Sequence, residues 1–336
     1  MNKTLFGSLP DGRAVYEYEL TDNNMTVSVL SLGGIIRKFV VDDVDIVAGF
    51  DSLSAILEDE SYQGALIGRY ANRIRDGRFV LNGKTVCLAK NEKGKTHLHG
   101  GNIGFNRRIF TAEPTGDNVL ALSLFSPDGE EGYPGNLHVT VTYTLKDGVF
   151  MIDYKAVSDK DTVLNMTNHA YFNLNGYENS DILCHNLTVD ADFVTEVDHD
   201  LLPTGKKLCV SGTVFDLRTP TPLTKTVTKD FNGFDHNFML NRKTSESILG
   251  YNLPYAATLT GDRLTMQVYT DQPDMQIYAG NALTGTPAMK NGAKKAPHRT
   301  ICLETQVAPD SPNFGSGFLK AGEEYRTKTA FVFGRK

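Results

Sequence analysis

Residues 137–156 read LHVTVTYTLKDGVFMIDYKA, and one period runs through them twice. Leu137, Val139, Val141, Tyr143 and Leu145 alternate with His138, Thr140, Thr142 and Thr144, the period-two pattern of a strand with one apolar and one polar face. Lys146-Asp147-Gly148 interrupts the run, and Phe150, Ile152, Tyr154 and Ala156 resume it. Two half-buried strands joined through an Asp-Gly turn make a β-hairpin. Residues 79–86 repeat the logic on a smaller scale, with Asn82-Gly83 supplying the two positive-φ positions of a type I′ turn.

Working outward, further strands are expected near 26–32, 186–190, 264–270, 275–278, 300–305 and 329–333. Helical periodicity is nearly absent; the one credible helix covers 53–58, with Ser52 as its N-cap. No Pro/Gly/Ser-rich linker divides the chain and no fixed-period repeat appears. The expectation is an all-β chain with very little helix, residues 1–336 forming a single domain built as one large antiparallel β-sandwich.

A chain of 336 residues buries roughly three quarters of its unfolded surface, so its core needs no disulfide or metal staple. The net charge of -6, with no run of five or six like charges, argues against nucleic acid and for a small ligand of little charge. Cys87, Cys184, Cys209 and Cys302 stand far apart without a CxxC pair, and are expected to be reduced, mostly buried thiols rather than a zinc site. No signal-peptide-like stretch opens the sequence and no segment reaches 18 apolar residues. A cytoplasmic protein with no membrane partner is therefore expected.

Several segments carry chemistry. Asn72 and Arg73 lie in GRYANRI, 68–74, as a hydrogen-bonding pair on a pocket wall or as solvated surface groups. HLHGG, 97–101, sets His97 and His99 at i and i+2, which in an extended strand share a face as metal ligands or paired donors. A metal would need further ligands, and no second histidine cluster is visible, so none is expected. The glycines after His99 allow a close backbone approach, read as a ligand contact. His169 sits amid the asparagines and aromatics of 165–173, as a proton-transfer group or a satisfied core histidine. Asp235 has the carboxylate to accept two adjacent hydroxyls, or else caps a turn. Glu304 interrupts the apolar run of 300–306. A carboxylate buried there is paired or functional, with a pKa raised toward general-base use; the alternative is an edge-strand Glu facing water.

Taken together, GRYANRI (68–74), HLHGG (97–101), SPDGEEGYPG (126–135), TNHAYFNL (167–174), GFDHNF (233–238) and CLETQ (302–306) occur in the order that resembles the aldose 1-epimerase, or galactose mutarotase, family. LPTG at 202–205 and FDLR at 215–218 extend the resemblance over nearly the whole chain. It implies a large twisted antiparallel β-sandwich and an isomerase that interconverts the α and β anomers of free aldohexoses such as galactose and glucose. No cofactor and no metal are implied, and the partner is a small sugar bound by a monomer or weak homodimer. By similarity, Glu304 is the general base on the anomeric hydroxyl, His169 the general acid on the ring oxygen and His99 its helper. Arg73, Asp235 and Gln276 match substrate-binding positions, with Asn72 as their neighbour.

The chain departs from the family in having no Trp, and in reading Phe105-Asn-Arg-Arg-Ile-Phe110 after the HGG segment. Arg107 and Arg108 keep open a hexose-6-phosphate 1-epimerase. A non-catalytic sugar-binding module on the same sandwich is a further alternative. A glycoside hydrolase would need Asp235 and Glu304 to flank a glycosidic bond, which leaves the histidines without a role.

Overall fold

The structure, a computed structural model, describes residues 1–178 and 180–336. The 137–156 hairpin forms as the alternation requires. Leu137–Lys146 pairs antiparallel with Val149–Ser158 from Leu137↔Ser158 to Lys146↔Val149. Asp147 and Gly148 close it at φ 51° and 78°, the two positive values of a type I′ turn, whose twist matches that of the strands. Asn82 and Gly83 do the same at φ 49° and 75° between Arg78–Leu81 and Lys84–Cys87.

The hairpin lies within a ten-stranded antiparallel sheet, where Val149–Ser158 continues into Glu324–Arg335, Leu264–Thr270 and Tyr251–Thr260. A five-stranded sheet from the N-terminal 45 residues and another running Pro203–Cys209, Ala191–Val197, Asp235–Leu240, Asp274–Tyr278, Cys302–Gln306 complete the body. All three contribute to one apolar core: Val27 and Phe39, Val141 and Ile152, Met275, Ile277 and Leu303 are fully buried in the same cluster. Burying such side chains contributes about 1.5–3 kcal/mol each. The architecture is the expected all-β sandwich, with Leu53–Glu58 the one α-helix among the described residues, capped by the Ser52 hydroxyl on the Ala55 N–H at 3.2 Å.

One expectation changes. Cys87, Cys184 and Cys209 are exposed and Cys302 alone is buried, because the first and third occupy hairpin edges whose outward positions need not be apolar. Strand Cys302–Gln306 is indeed the edge of its sheet. Its Glu304 nevertheless has only 2% exposure, because the loops carrying His99 and His169 cover that face.

Candidate active site

Strand alternation builds the floor of the site. In Asp274–Tyr278 and Cys302–Gln306, Ile277 and Leu303 enter the core, so Gln276 and Glu304 turn to the opposite face, directly paired in register. On the next strand Asn237 pairs with Gln276, and Asp235 with Tyr278. A polar row thus crosses three strands and ends at Glu304.

His169 is delivered from above. Its backbone is pinned on both sides, its N–H donating to the Ala65 carbonyl and its own carbonyl accepting from Gly64 N–H, each at 2.9 Å. The asparagines around it tie loops together: Asn165 holds the carbonyls of Ala71 and Val307 and the Val307 N–H, and Asn168 holds the Gly64 carbonyl. His99 arrives from a third segment. Strand His97–Leu98 pairs with Arg73–Ile74 and then stops, because His99 takes φ 50°. The expected shared face of His97 and His99 is therefore not formed. His97 bonds the Ala89 carbonyl and the Tyr133 hydroxyl, whereas His99 Nδ1 accepts the Asn72 N–H at 3.1 Å.

The glycine pair also has a different reason. A Cβ on Gly100 would lie 1.8 Å from the Gly68 carbonyl oxygen, and one on Gly101 would meet the Glu131 carboxylate. The close approach is made by the chain itself, not by a ligand. Arg69 joins the same neighbourhood, donating to the Ser126 hydroxyl and to the carbonyls of Ser126, Pro127 and Pro134. Glu131 accepts from the N–H groups of Asn102 and Ile103. The segments 68–74, 97–101 and 126–135 are thereby locked into one frame.

Glu304, His169, His99, Asn72, Arg73 and Asp235 line a single cleft of about 600 Å³, together with Tyr62, Tyr171 and Tyr278. Gln276, the remaining candidate, stands behind it and donates from Nε2 to Asp235 Oδ1 at 2.6 Å. Asn72 Oδ1 accepts the Arg73 N–H at 2.8 Å, and the Arg73 guanidinium makes a bidentate pair with Glu92. Four cleft residues, Tyr62, Asn72, His99 and Leu201, hold φ between 50° and 63°, a conformation that costs non-glycine residues of order 1 kcal/mol or more and collects at functional sites.

His169 Nε2 is 3.7 Å from Glu304 Oε1, and Glu304 Oε2 is buried without a partner. Burial pushes the Glu304 carboxyl well above its ordinary range, the Asp235 charge adds to this and Arg73 opposes it. Burial likewise lowers His169 to about 4, and lowers His99 well below its usual value. Both shifts favour the neutral forms, with the proton on the Glu304 carboxyl rather than on the His169 imidazole. Moving it to the imidazole gives the carboxylate–imidazolium form without gain or loss of protons.

Donor atoms of His99, His169 and Glu304 lie within 4.8 Å of one another, close enough for a metal ion. The tautomer argues otherwise. With Nδ1 accepting from Asn72, the neutral His99 ring carries its hydrogen on Nε2, a donor and not a ligand.

Sequence reasoning overlooked Tyr62, Tyr171 and Glu92. Tyr171 lies inside the TNHAYFNL segment, but nothing in the sequence ties Glu92 to Arg73 or places Tyr62 at the cleft.

A carboxylate and two imidazoles converging in one polar cleft on an all-β body make a site for acid–base chemistry on a small ligand. The aldose 1-epimerase family model matches residues 16–332, and the chain belongs to that family. It is 42% identical to the galactose mutarotase of Homo sapiens, covering 99% of this chain and 98% of the relative, and 34% identical to the aldose 1-epimerase of Escherichia coli (strain K12), covering 96% of each. The crystal structure of galactose 1-epimerase from Lactobacillus acidophilus NCFM superimposes with a TM-score of 0.87 at 28% identity, covering 99% of this chain and 98% of that one.

Proposed function

We propose that this chain is an aldose 1-epimerase acting on free aldohexoses such as galactose and glucose, with Glu304 as general base, His169 as general acid and His99 as helper. The observation that carries the reading is the convergence of these three groups, from three separate segments, in one cleft. In the active form the Glu304 carboxylate removes the proton of the anomeric hydroxyl while His169 protonates the ring oxygen. The bond between anomeric carbon and ring oxygen breaks, leaving an open aldehyde. Rotation about the adjacent carbon–carbon bond presents the other carbonyl face, and the two groups reverse roles to close the ring. His99 Nε2–H donates toward the ring oxygen. Asp235, held by Gln276, and Arg73, held by Glu92 and backed by Asn72, grip the remaining hydroxyls.

The hexose-6-phosphate alternative loses its support. Arg107 donates to the carbonyls of Ile56 and Asp59, and Arg108 pairs with Glu130 and donates to the Phe125 carbonyl. Their donors serve the fold. We further propose that residues 1–336 act as one catalytic unit, as a monomer or weak homodimer in the cytoplasm; no helix among the described residues is long and apolar enough to cross a membrane.

Polarimetry of freshly dissolved α-galactose and α-glucose tests the reading. Wild type accelerates relaxation, and Glu304→Gln binds sugar but loses roughly 100- to 10,000-fold in kcat. No acceleration by wild type overturns it.

A further inference from the structure

Two tyrosine rings lie nearly parallel to the His169 ring. Tyr171, two residues along the same segment, stacks at 5.0 Å between centroids with 19° between planes, and Tyr62 at 6.1 Å and 21°. The Tyr62 ring also meets His99 at 4.7 Å and 59°. The two tyrosines are coupled, since the Tyr171 hydroxyl donates to the carbonyl of Ser61, next to Tyr62, at 2.8 Å. Tyr62 itself is held at φ 58°, so the loop accepts backbone strain to keep this ring at the cleft wall.

An aromatic face is negative at its centre and attracts a cation lying over it. A protonated imidazole gains from such aromatic neighbours and a neutral one gains little, so the stack acts against the burial that expels the proton from His169. The other titratable groups facing His169 are few. Glu304 Oε1 lies at 3.7 Å from Nε2, the Cys302 thiol at 3.4 Å from Nδ1, and the neutral His99 ring stands edge-on at 5.2 Å. Asp59 acts at longer range, favouring the charged form.

We propose that Tyr62 is a positioning residue for the general acid, its ring face stabilising the protonated His169 imidazole that donates to the ring oxygen. The proposal rests on the acid–base assignment above and goes beyond it. Tyr62 is half-buried and packs against the edge of a core cluster, contact that both Leu and Phe retain as apolar side chains.

The test compares Tyr62→Leu with Tyr62→Phe in the full-length protein, following the His169 ring resonance against pH by NMR, assigned by its loss in His169→Asn, alongside kcat on α-galactose. In Tyr62→Leu the His169 titration moves down by about 0.5–1 pH unit and kcat falls roughly 3- to 30-fold. Tyr62→Phe, which keeps the ring face, recovers most of both. An unmoved titration in Tyr62→Leu, or a Phe variant as impaired as the Leu variant, overturns the proposal. Absence of mutarotation in wild type would instead strike the functional assignment, and the titration would still decide the role of the stack.

Discussion

Glu304 and His169 bear opposite shifts from the same cause. Burial disfavours charge, so it raises an acid and lowers a base, and together the shifts favour a protonated carboxyl beside a neutral imidazole. On the proposed assignment kcat follows a bell. On the acid side, as pH approaches about 4, a second proton joins the pair and Glu304 has no lone pair to offer. On the alkaline side the pair gives up its one proton and nothing remains to donate. A pH–kcat profile checks this, and a profile with no acid limb would contradict the assignment. Glu304 was legible as unusual because a carboxylate breaks an apolar run, whereas nothing local distinguished His169 from a satisfied core histidine. Its neighbours Ala65, His99 and Glu304 lie 104, 70 and 135 residues away in sequence.

Elements were legible wherever a period-two pattern met a turn signal. The 137–156 hairpin, 264–270 and the 53–58 helix were readable in place, because one buried face fixes register and a cap fixes a start. Strands such as Asn2–Ser8 and Pro203–Cys209 were not, for they are edge strands exposed along most of their length and show no apolar alternation. The HGG turn was misread for a related reason: sequence shows that a glycine permits close approach but not what approaches. Two substitutions separate backbone strain from collision. At Gly148, φ is 78° and a Cβ meets nothing nearer than 3.6 Å, so Gly148→Ala costs about 1–2 kcal/mol. At Gly100 the Cβ would overlap the Gly68 carbonyl, so Gly100→Ala must displace backbone, lowers the urea midpoint further and reduces kcat by shifting His99. Equal midpoints for the two variants would argue against that packing.

At the scale of the molecule, buried histidines dominate acid behaviour. His97, His169, His185 and His236 are each lowered to about 4 by burial, and His99 is lowered well below its usual value by the same cause. A folded-state pKa below the unfolded value near 6.5 gives stability that is present above pH 6.5 and lost as pH falls toward 4. Each contributes up to roughly 3 kcal/mol, against a usual total of about 5–15 kcal/mol. Asp274, raised by burial to about 6, and Glu304, raised well above its ordinary range, work in the opposite sense. Urea unfolding is therefore expected at clearly lower midpoint at pH 5 than at pH 7, and an unchanged midpoint would show that these rings are solvated. The same enclosure bears on turnover. On the proposed assignment ring opening carries a proton from His169 to Glu304 by way of the sugar and ring closure carries it back, so each cycle restores the starting protonation from within. The catalyst needs no replenishment from buffer and no conduit to bulk water, and a carboxylate at 2% exposure can sit deep in the protein without its isolation becoming rate-limiting.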